Sequence, residues 1–256
     1  MDGIAPDLGL LMLTAASIGA VHTLLGPDHY LPFVALSRSA NWSTRRTVAV
    51  TSACGAGHVL SSILIGMAGI AAGAAIERIV HIESWRGDIA AWLLLGFGLA
   101  YFAWGMKRAL RGETHTHSHV HADGTRHSHS HDHRLAPHVH PHTAQRGTVY
   151  SPTVAPGPAA GIATPWALFI IFVLGPCEPL IPVLMYPAAH ANWLAVVVVG
   201  ASFSLATIGT MLAVVLLILR GLDVIGVRAH GMERWSPALA GAAISACAVA
   251  ILFLGL

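Results

Sequence analysis

Charge is what this sequence has least of: Asp, Glu, Lys and Arg together make up 10% of it, against 55% apolar residues. A soluble domain carries about a quarter charged residues, so the chain is expected to live in a lipid bilayer. Cysteine is scarce, and Cys54, Cys177 and Cys247 all fall inside apolar stretches, which excludes a disulfide framework. No glycine-rich phosphate loop occurs, so direct drive by nucleotide hydrolysis is not expected. The N-terminal region carries Asp2 and Asp7 but no basic cluster, and no cleaved signal peptide is expected there. No polar portion is large enough to fold as a catalytic domain. An enzyme, a prosthetic group and a nucleic-acid partner are therefore all unexpected.

What is present is a series of long apolar runs. A spanning helix needs about 20 apolar residues, and six segments meet that requirement: Leu8–Leu36, Thr47–Ile76, Asp88–Met106, Ala163–Ala189, Asn192–Leu219 and Ser236–Leu256. The expected fold is all-α, a polytopic membrane protein with six transmembrane helices. Thr44 is the expected N-cap of the second, and Glu77–Gly87 reads as a short solvated turn before the third. Of the 14 Lys and Arg residues, 12 follow the first, third and fifth segments, and only Arg78 and Arg86 fall elsewhere. Because basic residues collect on the cytoplasmic side, both termini are expected outside and the loops after segments 1, 3 and 5 in the cytoplasm.

The first segment is interrupted by polar and helix-breaking residues: His22-Thr-Leu-Leu-Gly26-Pro27-Asp28-His29-Tyr-Leu-Pro32. The midpoint of Leu8–Leu36 is His22, so this cluster lies deep in the span. An ionisable side chain there costs roughly 2.5 kcal/mol or more, and by default marks a functional site. The second segment adds Gly57-His58-Val-Leu-Ser61-Ser62, with Cys54 one turn before His58 on the same face. These groups could pair among themselves as a structural network, or line a path for a cation. On an unbroken helix seven residues would hold His22 and His29 about 10 Å apart, too far for one ion bonded at about 2 Å. Either Gly26-Pro27 unwinds and draws them together, or they are successive stations.

The fourth segment repeats the opening motif as Leu174-Gly175-Pro176-Cys177-Glu178-Pro179-Leu180, again with ligand-type residues beside prolines. Fainter echoes pair Gly57, Ser61, Ile65 and Gly66 with Gly200, Ser204, Ile208 and Gly209. Halves offset by three helices lie upside down to one another, so a 3+3 inverted repeat with broken helices 1 and 4 is expected, the breaks meeting near the midplane. The organisation is then 1–111, a first membrane repeat; 112–161, a polar loop; and 162–256, a second membrane repeat.

That loop has no apolar run, and it holds eleven histidines: His115, His117, His119, His121, His127, His129, His131, His133, His138, His140 and His142. Such low-complexity sequence is expected to be disordered. Imidazole is the commonest protein ligand for divalent transition metals, so the expected role of the loop is metal capture in the cytoplasm. His81, His190 and His230 sit at span boundaries and are expected to be interfacial.

The helix-1 pattern of His22 with Asp28-His29, followed by Gly57-His58-x-x-Ser61 and a long His-rich loop, resembles the nickel/cobalt permeases and their six-helix NicO-type efflux relatives. In this chain the two helix-1 histidines stand one residue further apart than in that pattern. The resemblance implies a secondary transporter of Ni²⁺ or Co²⁺, with Zn²⁺ a further candidate, in a bacterial cytoplasmic membrane. Efflux is favoured because the collecting loop is cytoplasmic, and protons are the expected coupling ion. It carries over to His22, Asp28, His29 and His58; Cys177 and Glu178 of the second motif complete the expected metal site. A second resemblance, of Gly-Pro-Cys177 to the electron-conducting membrane proteins of cytochrome c maturation, supplies the alternative of a thiol relay through Cys177 and Cys54. Sulfur-oxyanion export, known in the wider superfamily, ranks below it.

Overall fold

The computed structural model describes residues 8–111, 115–120, 126–131, 163–224 and 233–254. Helices α1 (Leu8–Leu25), α2 (Leu31–Ser39), α3 (Thr44–Ala71) and α4 (Ile76–Arg111) form the first half; α5 (Ala163–Leu174), α6 (Leu180–Ala189), α7 (Trp193–Val224) and α8 (Ser236–Leu254) form the second. Five of them (α1, α3, α4, α7 and α8) are long and apolar enough to cross a membrane. Large apolar side chains point outward along them, Leu25 being 71% and Leu205 74% exposed. A water-soluble protein rarely presents so much contiguous apolar surface. The protein is membrane-embedded.

The first and fourth apolar segments are each divided. The last α1-type bond runs from Gly26 N–H to His22 O, at 3.0 Å. Pro27 then has no N–H to continue the ladder, and Pro27–His29 form a single 3-10 turn before α2 begins. In the fourth segment Gly175 N–H still bonds Ile171 O, at 2.9 Å, and the helix resumes only at Leu180. Pro176 and Pro179 flank that gap.

Both short helices end the same way. Asn41 after α2 and Ala191 after α6 adopt left-handed backbone (φ 50° and 53°). Trp42 N–H then reaches back to Ser37 O at 2.9 Å, and Asn192 N–H to Pro187 O at 3.1 Å, the closure that satisfies orphan carbonyls at a helix C-terminus. The next helix is capped in each case: Ser43 Oγ accepts from Arg46 N–H (3.3 Å) and Asn192 Oδ1 from Ala195 N–H (3.0 Å). The N-cap of α3 is thus Ser43, with Thr44 the first helical residue.

One correction concerns α4. The stretch Glu77–Gly87, expected as a solvated turn, is helical and belongs to α4, which starts at Ile76 rather than Asp88. Glu83 is fully buried and Arg86 nearly so, so α4 does carry polar groups into the interior. The His-rich segment departs from expectation as well: His115–Val120 (β1) and Arg126–His131 (β2) pair as antiparallel strands. His121, His133, His138, His140 and His142 lie outside the described residues.

Packing relies on small residues. α4 and α8 meet along Gly98, Gly105 and Gly241; a Cβ on Gly98 would sit 2.7 Å from the Ser245 backbone nitrogen, so the backbones themselves touch. α1 lies on α7 at Gly19, where a Cβ would be 2.9 Å from Phe203 O. Two buried apolar clusters result. One holds Phe33, Leu36, Cys54, Leu168, Phe172 and Met211; the other holds Ala15, Val59, Cys177, Leu180, Leu184 and Phe203. His58 stands where they adjoin, next to Val59 in sequence and 6.3 Å, centroid to centroid, from the Phe172 ring.

Candidate functional site

The 3-10 turn settles the geometric question raised by the His22 to His29 spacing. Unwinding brings the two rings to 4.8 Å between centroids, edge to face at 81°. His58 of α3 completes a triangle, 5.2 Å from His29 and 6.4 Å from His22, whose plane it nearly parallels.

Gly26 is what allows this. A Cβ there would lie 2.5 Å from His29 Nδ1 and 2.8 Å from Asp28 Oδ1, so any other residue displaces the cluster. Gly175 plays the corresponding part in the second interruption: its Cβ would approach His58 Nδ1 to 3.2 Å. The paired Gly-Pro dipeptides therefore do more than break helices. Each glycine lets backbone press against an imidazole.

The outward-turned nitrogens are fixed. His29 Nδ1 lies 3.0 Å from Asp28 Oδ1 and 3.2 Å from Gly26 O. Both are acceptors, so Nδ1 carries a proton and donates; in the neutral ring the lone pair is then on Nε2. His58 Nδ1 likewise donates to Phe172 O, at 3.3 Å. Nε2 of His22, of His29 and of His58 are all buried without a hydrogen-bond partner. An unsatisfied buried polar atom costs about 1–3 kcal/mol. Three within one cluster could hold a ligand that accepts electron pairs.

Cys177 joins them from the second interruption. The ligand atoms of His22, His58 and Cys177 lie within 4.8 Å of one another, and Cys177 is fully buried. A tetrahedral ion with bonds of about 2.0–2.3 Å would hold such atoms roughly 3.5 Å apart, so closure of about an ångström suffices. His29 is not among these three, although its ring lies 4.8 Å from that of His22 and 5.2 Å from that of His58; Asp28 holds it from behind, the arrangement in which a carboxylate orients an imidazole.

A cavity of about 760 Å³ opens onto this cluster; His22, Asp28, His29 and His58 line it together with Asp88 and Glu178. Its remaining wall includes Val21, Leu25, Phe172 and Ile251. Glu178, expected in the metal site, is exposed on this wall and is not among the three residues whose ligand atoms converge. Cys54 is buried in the other apolar cluster, apart from Cys177, and all three cysteines are free.

One feature escaped the sequence reading. Arg86 is ion-paired with Glu83, both buried. Glu83 Oε2 accepts from Ser62 Oγ–H at 2.8 Å and from Cys177 N–H at 3.0 Å. Arg86 Nη2 donates to Ser61 Oγ (2.8 Å), Val173 O (2.7 Å) and Gly175 O (3.4 Å). The signal was a helical stripe continuing N-terminally from Ala90 through Arg86 and Glu83 to Ile79, all buried.

No family model matches the chain, and neither the curated proteins nor the solved structures contain a match.

Proposed function

We propose that the protein is a secondary transporter of divalent transition-metal ions, Ni²⁺ or Co²⁺ with Zn²⁺ a further candidate, and a relative of the nickel/cobalt permeases and NicO-type exporters. The single observation that carries this reading is the set of unpartnered Nε2 atoms of His22, His29 and His58 on one cavity. The Nδ1 protons of His29 and His58 are committed to Asp28, Gly26 O and Phe172 O, so in their neutral form these rings turn lone pairs, not donors, to a ligand. Such lone pairs attract a cation, which favours metal over sulfur-oxyanion export.

The donor set is nitrogen-rich with one thiol, suited to borderline divalent ions. Asp28 holds His29 in register, and the exposed carboxylates of Asp88 and Glu178 lower the cost of admitting a dication to the cavity. The matching left-handed turns at Asn41 and Ala191, and the matching interruptions at Gly26 and Gly175, support a six-helix 3+3 inverted repeat with broken helices 1 and 4. In the expected orientation in a bacterial cytoplasmic membrane, both termini are outside, and the wall formed by Asp88, Glu178 and Ile251 faces outward. The His-rich segment is then cytoplasmic, where it gathers ions for efflux. Without a nucleotide-binding motif the drive is an ion gradient; protons are the natural partner, because metal and proton compete for Cys177 and the imidazoles.

The thiol relay loses support from the placement of Cys54 and Cys177 in separate clusters. The deciding experiment is cellular nickel, cobalt and zinc content with and without expression of the protein, alongside H22A and H58A. Lower metal content that depends on both histidines is the expected result. Unchanged content of all three metals overturns the proposal, and loss of thiol reduction outside the cytoplasm in C177S would favour the relay.

A further inference from the structure

The buried Glu83–Arg86 pair on α4 bonds no candidate ligand side chain, yet it meets the backbone at both ends of the second interruption. At α5 the helix runs out of partners for its last carbonyls, the negative pole of its dipole. Arg86 supplies donors there, to Val173 O at 2.7 Å and Gly175 O at 3.4 Å. At Cys177, just before α6, a backbone N–H has no helical acceptor. Glu83 Oε2 provides one at 3.0 Å. Each charge faces the pole of opposite sign, and the two charges neutralise one another.

The pair also reaches α3, through Ser61 Oγ (2.8 Å) to Arg86 and Ser62 Oγ (2.8 Å) to Glu83. Ser61 donates in turn to His58 O, at 2.8 Å. Gly87, one residue on, comes so close to Pro176 that a Cβ would lie 2.7 Å from its Cγ. One ion pair therefore spans from the backbone of Cys177 to the turn of α3 that carries His58. These are two of the three residues whose ligand atoms converge.

We infer that Glu83 and Arg86 are positioning residues which replace the missing helical hydrogen bonds at Val173–Cys177 and thereby set the Cys177 thiol against His58 and His22. This rests on the metal-transport reading for its consequence, though not for its geometry. Supporting groups behind metal ligands typically control affinity by 10–100-fold.

Two measurements on the purified full-length protein in lipid nanodiscs test it. The first needs neither substrate nor variant: hydrogen exchange at the Cys177 amide. Protection comparable to the interior of α6 is expected, although this residue lies between helices. Exchange as fast as at exposed turns overturns the inference. The second uses Co²⁺, whose bond to thiolate gives a near-ultraviolet charge-transfer band. E83L/R86M exchanges the pair for apolar side chains and R86K keeps one charged donor. Expected are a lost thiolate band and at least tenfold weaker Co²⁺ binding in E83L/R86M, with R86K in between. A folded E83L/R86M with wild-type band and affinity overturns the inference while leaving metal binding intact. If E83L/R86M fails to fold, R86K and the exchange rate decide. Wild-type protein that binds no Co²⁺ defeats the transport reading instead, and the exchange rate still judges the positioning role.

Discussion

Gly26 and His29 stand so close that a methyl group on the glycine would lie 2.5 Å from the imidazole Nδ1. That nitrogen is committed to Asp28 and the Gly26 carbonyl, so the ring has nowhere to retreat without losing both acceptors. Replacing Gly26 by Ala should therefore leave the helices in place and displace His29. The expected outcome is unchanged helical circular dichroism with at least tenfold weaker Co²⁺ binding by titration calorimetry. Wild-type affinity in G26A would mean that His29 does not contribute to the site.

In the proposed metal site Asp28 acts through His29, and its loss should be graded. In D28N the side-chain oxygen still accepts from Nδ1–H, but without a negative charge; in D28A only the Gly26 carbonyl remains. Affinity should fall in the order wild type, D28N, D28A, over a range of about 10–100-fold. A D28A protein that binds more weakly than H29A would contradict the supporting role and make the carboxylate itself a ligand.

Proton release separates the thiol from the imidazoles. His58 in its neutral form presents an unprotonated Nε2, so an ion bound there releases nothing, and any proton His29 gives up is common to wild type and C177S. A free thiol titrates near pH 8.5, and a thiol held in apolar surroundings is protonated at neutral pH; only the thiolate binds metal. About one proton more per Co²⁺ should therefore appear from wild type than from C177S in weakly buffered solution at pH 7. The sign follows: binding through Cys177 must weaken as pH falls, with a tenfold loss per pH unit for each proton displaced. Equal release by wild type and C177S would exclude the thiol from the site.

How much of this was legible beforehand depends on what each residue needed for its interpretation. Pro27 and Pro176 are legible by local chemistry alone, and α1 ends at Leu25 and α5 at Leu174, just before them. The approach of His22 and His29 was undecidable, because it depends on how far a 3-10 turn rotates one ring toward the other. The start of α4 was misread for a different reason. Arg78, Glu83, Arg86 and Asp88 within eleven residues resemble a solvated loop unless their burial is known, and burial of Glu83 and Arg86 follows from oxygens and amides on α3 and the second interruption. Side chains that owe their place to distant backbone leave only a periodic trace, here Ile79, Glu83, Arg86 and Ala90. In the His-rich segment, the His-x-His alternation has the period of a strand. Its register sets His115 opposite His131, His117 opposite His129 and His119 opposite His127.

Transport and capture should be separable if the His-rich segment only gathers ions. Deleting residues 115–142 removes every histidine of the segment and none of the intramembrane cluster. The expected result is a higher substrate concentration for half-maximal metal flux in proteoliposomes, with maximal flux retained. Complete loss of flux would place an obligatory step in that segment.

The buried pair on α4 allows a stability prediction whose sign depends on taking one partner or both. Removing Arg86 alone leaves the Glu83 carboxylate fully buried with no counter-charge, and frees the carbonyls of Val173 and Gly175 from their donor. Breaking a buried pair in this way costs about 3–5 kcal/mol. Removing both charges together spares the uncompensated ion, since apolar replacement of a whole pair is often neutral. R86M should thus lower the thermal midpoint markedly, and E83L/R86M should recover much of the loss despite being the larger change. A double variant less stable than wild type by the sum of the R86M and E83L effects would show that Glu83 and Arg86 act independently, against the bonding network described for them.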